Sequence, residues 1–144
     1  MIFDDVPSRL RLLPSWLMVQ AANRAAGLVA ERAAAIGVVK AAFPALAALD
    51  QFGATSQAEL GRRLALDRKD VSLLAAELER TGMVRRGPDP TDVRRNCLEI
   101  TPSGQAMLAQ LDVAFSEVQD VLLMKLSEED RTTLLNMLTK IVSP

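Results

Sequence analysis

The fold of this chain is decided by residues 55–101, which read TSQAELGRRLALDRKDVSLLAAELERTGMVRRGPDPTDVRRNCLEIT. Near the start of this stretch, Ser56 followed three residues later by Glu59 forms a capping-box pattern. In such a box the serine hydroxyl accepts a hydrogen bond from the third helical amide, and the glutamate carboxylate accepts one from the cap amide. A helix is therefore predicted to begin immediately after Ser56.

A second helix is predicted after a short break at Ala65 and Leu66. Asp67 is a favourable N-cap, and Gly82 stands where a left-handed residue commonly ends a helix. Two short helices at this spacing predict a helix-turn-helix whose second helix enters the major groove of DNA. At 100° per residue the second helix has a core side and an outward side. The core side holds Val71, Leu74, Ala75 and Leu78, and the outward side holds Lys69, Ser72, Leu73, Ala76 and Arg80.

The residues after the second helix predict a β-hairpin. Residues 83–86 and 96–100 have the pattern of short strands, and residues 87–92 between them are rich in turn-forming types. Arg94 and Arg95 follow at the hairpin tip, where paired arginines suit the negative potential of a narrow minor groove. The predicted fold class is therefore mainly α with a small β-hairpin wing, that is, a winged helix-turn-helix head.

Further helices are expected on either side of this head. Two precede it, over residues 15–37 and then up to Gly53, with Pro44 expected to delay the start of the second or to kink it. Two follow it, over about residues 102–126 and from Ser127 to the end of the chain. Their apolar stripes are larger than a small head can cover. We therefore expect these helices to build a homodimer with a second copy, and packing within one chain is the alternative.

Two segments resemble the MarR family of transcriptional regulators, namely SQAELGRRLALDRKDV at 56–71 and LERTGMVRRGPDPTDVRRNCLEITPSG at 78–104. The resemblance implies a helical dimer with a winged reading head that binds double-stranded DNA as a repressor or an activator. It also implies that a small molecule or an oxidant often releases the DNA. The chain is therefore interpreted as a repressor of a pseudo-palindromic operator, with a small-molecule effector as a candidate partner.

Three residues of the second helix depart from the family's pattern. Members commonly have a basic residue where this chain has Leu73, often another in place of Glu77, and often Ser or Thr in place of Asp70. An acid close to phosphates lowers affinity unless it accepts a hydrogen bond from a cytosine amine. The alternative function is therefore a protein-interaction module that kept the winged-helix fold and has weak or lost DNA binding.

Composition limits the class of protein. With 144 residues, 49% hydrophobic and 24% charged, the chain is expected to form a single MarR-type domain. Its expected parts are N-terminal helices (1–53), the winged head (54–101) and C-terminal helices (102–144). The formal net charge is −1, but residues 60–95 hold nine Lys and Arg against six Asp and Glu, so basic residues concentrate on the head.

The sequence also predicts where the protein works and what chemistry it lacks. No apolar run reaches about 18 residues without a charge and no secretory signal is recognisable, so a cytoplasmic protein without a membrane span is expected. The chain has no His, and Cys97 is its single cysteine, so neither a zinc-type site nor a nucleophile with an adjacent base can be assembled. No enzyme activity, cofactor or metal is expected. Cys97 is interpreted as an ordinary strand residue, with a thiol sensor as the alternative.

The candidate DNA-binding residues lie on the two short helices and the wing. Lys69 and Ser72 can reach base edges or phosphates, while Leu73 and Ala76 can meet thymine methyl groups. For Arg86, a phosphate contact and a solvated surface position are equally open. The full candidate set is Ser56, Gln57, Arg68, Lys69, Ser72, Leu73, Ala76, Arg86, Arg94 and Arg95.

An effector pocket is implied by the resemblance alone. Ligands of the family lodge between the reading head and the dimerisation helices, and phenolic compounds are among them. Trp16 and Phe43 could line such a cleft, with Gln20 or Arg24 as the polar partner. Ordinary packing in the core or in a dimer is the alternative for the two aromatic residues.

Overall fold

The structure is a computed structural model that describes residues 2–88, 91–92 and 96–144. It contains two compact units. The first, which we call the terminal unit, combines Met1–Glu31 with Phe115–Pro144, and the second, which we call the reading head, is Arg32–Ala114. The division into one domain with three consecutive parts stays a prediction.

The fold is mainly helical with a small antiparallel sheet, which confirms the predicted fold class. In chain order the helices are α1 (Ser8–Arg11), α2 (Pro14–Ile36), α3 (Ala42–Phe52), α4 (Gln57–Leu64), α5 (Arg68–Arg80), α6 (Pro102–Leu122) and α7 (Glu128–Val142). A 3-10 turn at Phe3–Asp5 precedes them. The strands are β1 (Thr55–Ser56), β2 (Val84–Pro88) and β3 (Asn96–Ile100).

Both predicted N-caps of the helix-turn-helix are confirmed. Ser56 Oγ accepts a hydrogen bond from the Glu59 amide at 3.2 Å, and Asp67 Oδ1 accepts one from the Asp70 amide at 2.8 Å. The second hydrogen bond of the capping box predicted at Ser56, from the cap amide to the Glu59 carboxylate, is wrong. The carboxylate accepts a hydrogen bond from Arg62 instead, with Arg62 Nε 3.0 Å from Glu59 Oε2. A charged partner binds a carboxylate more strongly than a neutral cap amide does. The hydrogen bond from Arg62 holds the pKa of Glu59 below its usual value.

The turn between α4 and α5 and the end of α5 both use left-handed residues. Ala65 has a φ of 53°, and the Leu66 amide donates to the Gly61 carbonyl at 2.9 Å, which closes the end of α4. Gly82, with a φ of 76°, ends α5 as predicted. The two glycines predicted to end α2 and α3, Gly37 and Gly53, also have positive φ.

The sheet contains one strand that the sequence analysis did not predict. Its order is β1-β3-β2, with both neighbouring pairs antiparallel. Thr55 of β1 and Arg86 of β2 are both paired with Leu98 of β3, whose side chain is fully buried. Because β1 runs directly into the N-cap of α4, the sheet fixes the point at which the helix-turn-helix begins.

Two boundaries of the flanking helices differ from prediction, and the start of a third helix agrees with one of its two predicted alternatives. The first of the two helices predicted before the head, α2, begins at Pro14 rather than after Ser15, because the missing amide of proline costs nothing in a first turn. Helix α3 begins at Ala42, so Pro44 lies in its first turn, where amides have no acceptor within the helix, and no kink is required. Helix α6 ends at Leu122, earlier than the predicted residue 126.

The core of the reading head is aliphatic. The core side predicted for α5 is confirmed, because all four of its predicted residues are buried. Burying one such side chain completely contributes roughly 1.5–3 kcal/mol, so these contacts hold the outward side of α5 in a fixed orientation. The most deeply buried large side chains of the head are Leu46, Leu49, Leu60, Leu78, Leu98 and Leu111.

The terminal unit leaves many apolar side chains exposed. Its last helix, α7, begins with a complete capping box between Ser127 and Asp130. Arg131 Nη1 lies 2.9 Å from Asp120 Oδ1 and so links α7 to the preceding helix. The exposed large apolar residues of this unit include Ile2, Phe3, Leu12, Leu13, Leu17, Leu135, Met137, Ile141 and Val142.

Candidate DNA-binding surface

The outward side of α5 is one continuous exposed face. Its residues recur at intervals of three and four, which places them on one side of the helix. It offers two cations, a hydroxyl and two apolar side chains, of which Leu73 is 61% exposed. Such groups supply phosphate contacts, base-edge hydrogen bonds and methyl contacts. The exposed residues, which we call the α5 face, are Arg68, Lys69, Ser72, Leu73 and Ala76.

The first turns of α4 and α5 flank a groove of about 470 Å³. Gln57 at the start of α4 and Arg68 at the start of α5 both line it. The Ser56 hydroxyl accepts from a backbone amide, so its own proton remains available for an external oxygen. Helix N-termini carry partial positive charge. These two turns therefore have the chemistry of a phosphate contact.

The acidic residue Glu77 is paired within its own helix. Arg80 Nη2 lies 2.7 Å from Glu77 Oε1, and Arg80 Nε lies 2.9 Å from Oε2. This bidentate hydrogen bonding lowers the pKa of Glu77 and raises the pKa of Arg80. Glu77, whose negative charge is unfavourable close to DNA phosphates, therefore has the positive charge of Arg80 beside it. Asp70, the other acidic departure, is exposed in the first turn of α5.

Arg86 of β2 joins the sheet to both helices of the helix-turn-helix. Its Nη1 donates to Gln57 Oε1 at 2.9 Å, and its Nε lies 3.3 Å from Glu79 Oε1. The neighbouring Arg85 instead pairs with Glu99 across the hairpin, with Nη2 and Oε2 at 2.9 Å. The structure thus brings two candidate DNA-binding residues, Gln57 and Arg86, into direct contact with each other.

Comparison with known proteins shows which transcriptional regulators this chain is similar to. The model of the MarR family matches residues 36–95. A putative transcriptional regulatory protein for the hcr operon of Thauera aromatica is 33% identical over 86 residues, which are 60% of this chain and 52% of that protein. The match therefore spans about half the length of that relative.

Two further relatives match nearly the whole chain. The HTH-type transcriptional repressor NicR of Pseudomonas putida is 26% identical over 139 residues, 96% of this chain and 88% of the repressor. The crystal structure of a probable transcriptional regulator from Pseudomonas aeruginosa superimposes with a TM-score of 0.82 at 29% identity. That match covers 92% of this chain and 99% of the other. Over residues 36–95 this chain is similar to the MarR family, and over nearly its whole length it is similar to these two transcriptional regulators.

The wing of this chain is described only in part. Strands β2 and β3 are paired from Val84 with Ile100 to Pro88 with Asn96. The two candidate residues at the wing tip, Arg94 and Arg95, lie outside the described residues. Their part in DNA binding stays a prediction from the sequence.

The four candidate effector residues belong to different units. Trp16 and Gln20 are half-buried and Arg24 is exposed, all in the part of α2 that belongs to the terminal unit. Phe43 is half-buried in α3 of the reading head. The effector pocket therefore also stays a prediction.

Other kinds of site are not found in the described part of this chain. Within residues 2–88, 91–92 and 96–144, no group of three or more His, Cys, Asp or Glu side chains could hold a metal ion. Cys97 is buried in β3. None of the described helices has the length and apolarity needed to span a bilayer.

Sequence reasoning missed the link between Gln57, Glu79 and Arg86. The three residues lie in three different elements, α4, α5 and β2, so no period of a single helix or strand relates them. The pairing of β1 with β3 just before the Ser56 cap places Gln57 next to the sheet, but a strand of two residues leaves no sequence pattern that predicts it. Glu79 had no signal either, because its distance from the wing depends on how α5 packs.

Proposed function

We propose that this protein is a transcriptional regulator that binds double-stranded operator DNA in a sequence-specific manner, and that it acts as a repressor. The single observation that carries the proposal is the α5 face, which is exposed along its length while the opposite side of the helix is buried. The match of residues 36–95 to the MarR family and the likeness to the repressor NicR support the same function. On this proposal the chain is a regulator rather than an enzyme, and the cytoplasm stays its expected location.

The regulator is proposed to act as a homodimer. Apolar side chains such as Leu12, 80% exposed, and Val142, 79% exposed, are concentrated in the terminal unit, and contact with a second copy would remove them from water. A two-fold dimer presents two recognition helices about 34 Å apart, which matches one turn of DNA and a pseudo-palindromic operator. Operator titration should therefore saturate at two chains per site.

Binding should be tested by fluorescence anisotropy on the DNA upstream of the protein's own gene, with scrambled DNA of equal length as the control. Preferential binding that weakens with added salt is the expected result, because Lys and Arg contacts release counterions. Equal binding to both DNAs at two salt concentrations would contradict recognition of that site. Capture of a protein partner through Leu73 without any DNA preference would instead favour an interaction module.

The wing should contribute phosphate or minor-groove contacts through Arg94. We expect Arg94→Ala to weaken binding to all DNA sequences and to reduce the slope of log K against log salt by about 0.9 per chain. The matched control is Lys40→Ala, which removes an exposed cation from the turn between α2 and α3. If Arg94→Ala keeps the operator affinity and the salt slope of the wild type, the wing does not take part in DNA binding.

A small-molecule effector is proposed to bind near Trp16, with Gln20, Arg24 and Phe43 as the other candidate contacts. Trp16 is the single tryptophan of the chain, so its fluorescence reports on this region alone. We expect an aromatic acid such as benzoate, or phenol, to change that fluorescence and to lower operator affinity over the same concentration range. Arg24→Ala should weaken the effect of the acid more than that of phenol, because only the acid carries a charge. Equal responses in wild type and Arg24→Ala would exclude Arg24.

A further inference from the structure

Arg86 occupies a junction of three elements in the reading head. Its guanidinium reaches from β2 to Gln57 in the first turn of α4 and to Glu79 near the end of α5. The side chain is 29% exposed, whereas that of its neighbour Arg85 is 69% exposed. Partly buried charge pairs are screened less by salt than exposed ones. Arg86 is thus held in a contact that fixes where the hairpin stands relative to both helices.

The register of the sheet explains why only one of the two arginines takes this place. Arg86 is paired with Leu98, whose side chain is fully buried, so both residues point to the face of the sheet that meets the helices. Arg85 is paired with Glu99 and points to the other face. The Arg85–Glu99 contact therefore stays within the hairpin, while the contacts of Arg86 leave it.

The partners of Arg86 also argue against a phosphate as its main ligand. Nε and Nη1 are already engaged by Glu79 and Gln57. A phosphate brought to the same guanidinium would lie beside the Glu79 carboxylate, and like charges at contact distance repel. The same Glu79 charge stabilises Arg86 if the role of Arg86 is to hold the wing in place.

We infer that Arg86 is a positioning residue, which locks the wing to α4 and α5 through Gln57 and Glu79 and so sets the spacing between the α5 face and the strands β2 and β3. The inference rests on the proposed function, because this spacing matters only if the helix and the wing bind one DNA together. Glu79 is part of the same lock, although its negative charge by itself repels DNA.

The direction in which Glu79→Gln changes operator affinity distinguishes the two roles considered for Arg86, as a lock of the wing and as a phosphate ligand. As a lock, Arg86→Gln lowers operator affinity about tenfold, Glu79→Gln also lowers it, and the double variant is no worse than Arg86→Gln, because residues in one contact are not additive. The salt slope then stays within about 0.3 of the wild type.

If Arg86 is instead a phosphate ligand, Arg86→Gln reduces the slope by about 0.9 per chain, and Glu79→Gln strengthens binding. The second pattern, or unchanged affinity in both variants, would overturn the inference.

Arg85→Gln is the matched control, since it removes the same charge from the adjacent residue and breaks an ion pair that stays inside the hairpin. We expect it to change operator affinity less than about twofold, as for other exposed pairs. A loss equal to that of Arg86→Gln would show that hairpin charge, and not the lock, controls binding, and would overturn the inference.

A measurement without DNA keeps the inference distinct from the proposed function. Spin labels at Ala76→Cys on α5 and Pro88→Cys at the end of β2, in a Cys97→Ala background, report the distance from helix to wing. Labelled chains are diluted with unlabelled protein so that pairs within one chain dominate. The distance distribution should broaden in Arg86→Gln and in Glu79→Gln and stay narrow in Arg85→Gln. A narrow distribution in Arg86→Gln would overturn the lock, even if the wild type bound no DNA.

Discussion

Ala76→Glu is expected to abolish operator binding, with a loss of affinity of at least about 100-fold, because a like charge placed against DNA phosphates costs several kcal/mol. Ala76 is exposed in the middle of the α5 face. Glutamate is nearly as good a helix former as alanine, so the helix itself should stay intact. Fluorescence anisotropy with operator DNA measures the loss, and circular dichroism checks the fold.

Two controls distinguish the effect of the negative charge at position 76 from the effects of side-chain size and of the net charge of the protein. Ala76→Gln adds the same number of side-chain atoms without a charge and should lose about tenfold or less, in the range of a single disturbed base contact. Gln105→Glu adds the same charge at an exposed position in the first turn of α6 and should bind as the wild type does. Normal operator binding by Ala76→Glu would mean that the α5 face does not meet DNA.

Gly104→Ala is expected to lower the free energy of unfolding by about 3 kcal/mol, at the upper end of the range for overpacking a core. A Cβ atom at Gly104 would overlap the backbone carbonyl oxygen of Met83 and would lie 2.8 Å from Ile100 Cγ1. The Met83 carbonyl cannot turn aside, because it accepts a hydrogen bond from the Thr101 amide at 3.1 Å. The Thr101 hydroxyl fixes the same junction by donating to the Gly82 carbonyl at 2.6 Å.

Denaturant unfolding at one fixed protein concentration measures this effect, since the stability of a dimer depends on concentration. Gly27→Ala is the control, because it makes the same change inside α2 where an added Cβ meets no atom within 4 Å. Relief of the backbone entropy of glycine should leave that variant equally stable or more stable by about 0.5–1 kcal/mol. Equal stability of the wild type and Gly104→Ala would show that the start of α6 can shift away from Met83, the residue before β2, and make room for the added methyl group.

The local signals of this chain were sufficient for most of the reading head. Ser56, Asp67 and Gly82 act through hydrogen bonds and φ preferences that involve only the next few residues, so their pattern predicted where α4 and α5 begin and where α5 ends. The separation of Val71, Leu74, Ala75 and Leu78 from the outward residues followed from the helical period alone. The hairpin strands were predicted in the same way, from alternation and turn residues.

The failures occurred where two local interactions compete or where the partner is distant in sequence. Glu59 had a cap amide and Arg62 within reach, and the charged partner won. Strand β1 has only two residues, and it is a strand because Thr55 and Ser56 pair with Leu98 and Cys97, more than 40 positions away in the numbering. No propensity of so short a segment indicates such pairing.

The sequence by itself determined the order of the elements, the caps that start them and the side of α5 that faces outward, because each depends on contacts within a few residues of chain. Only the tertiary structure decided which partners each of two neighbouring arginines contacts. Arg85 and Arg86 are adjacent and chemically identical, yet one pairs across the hairpin and the other with α4 and α5. That difference arises from the register of β2 against β3 and from the packing of the sheet on the helices, which no local pattern encodes.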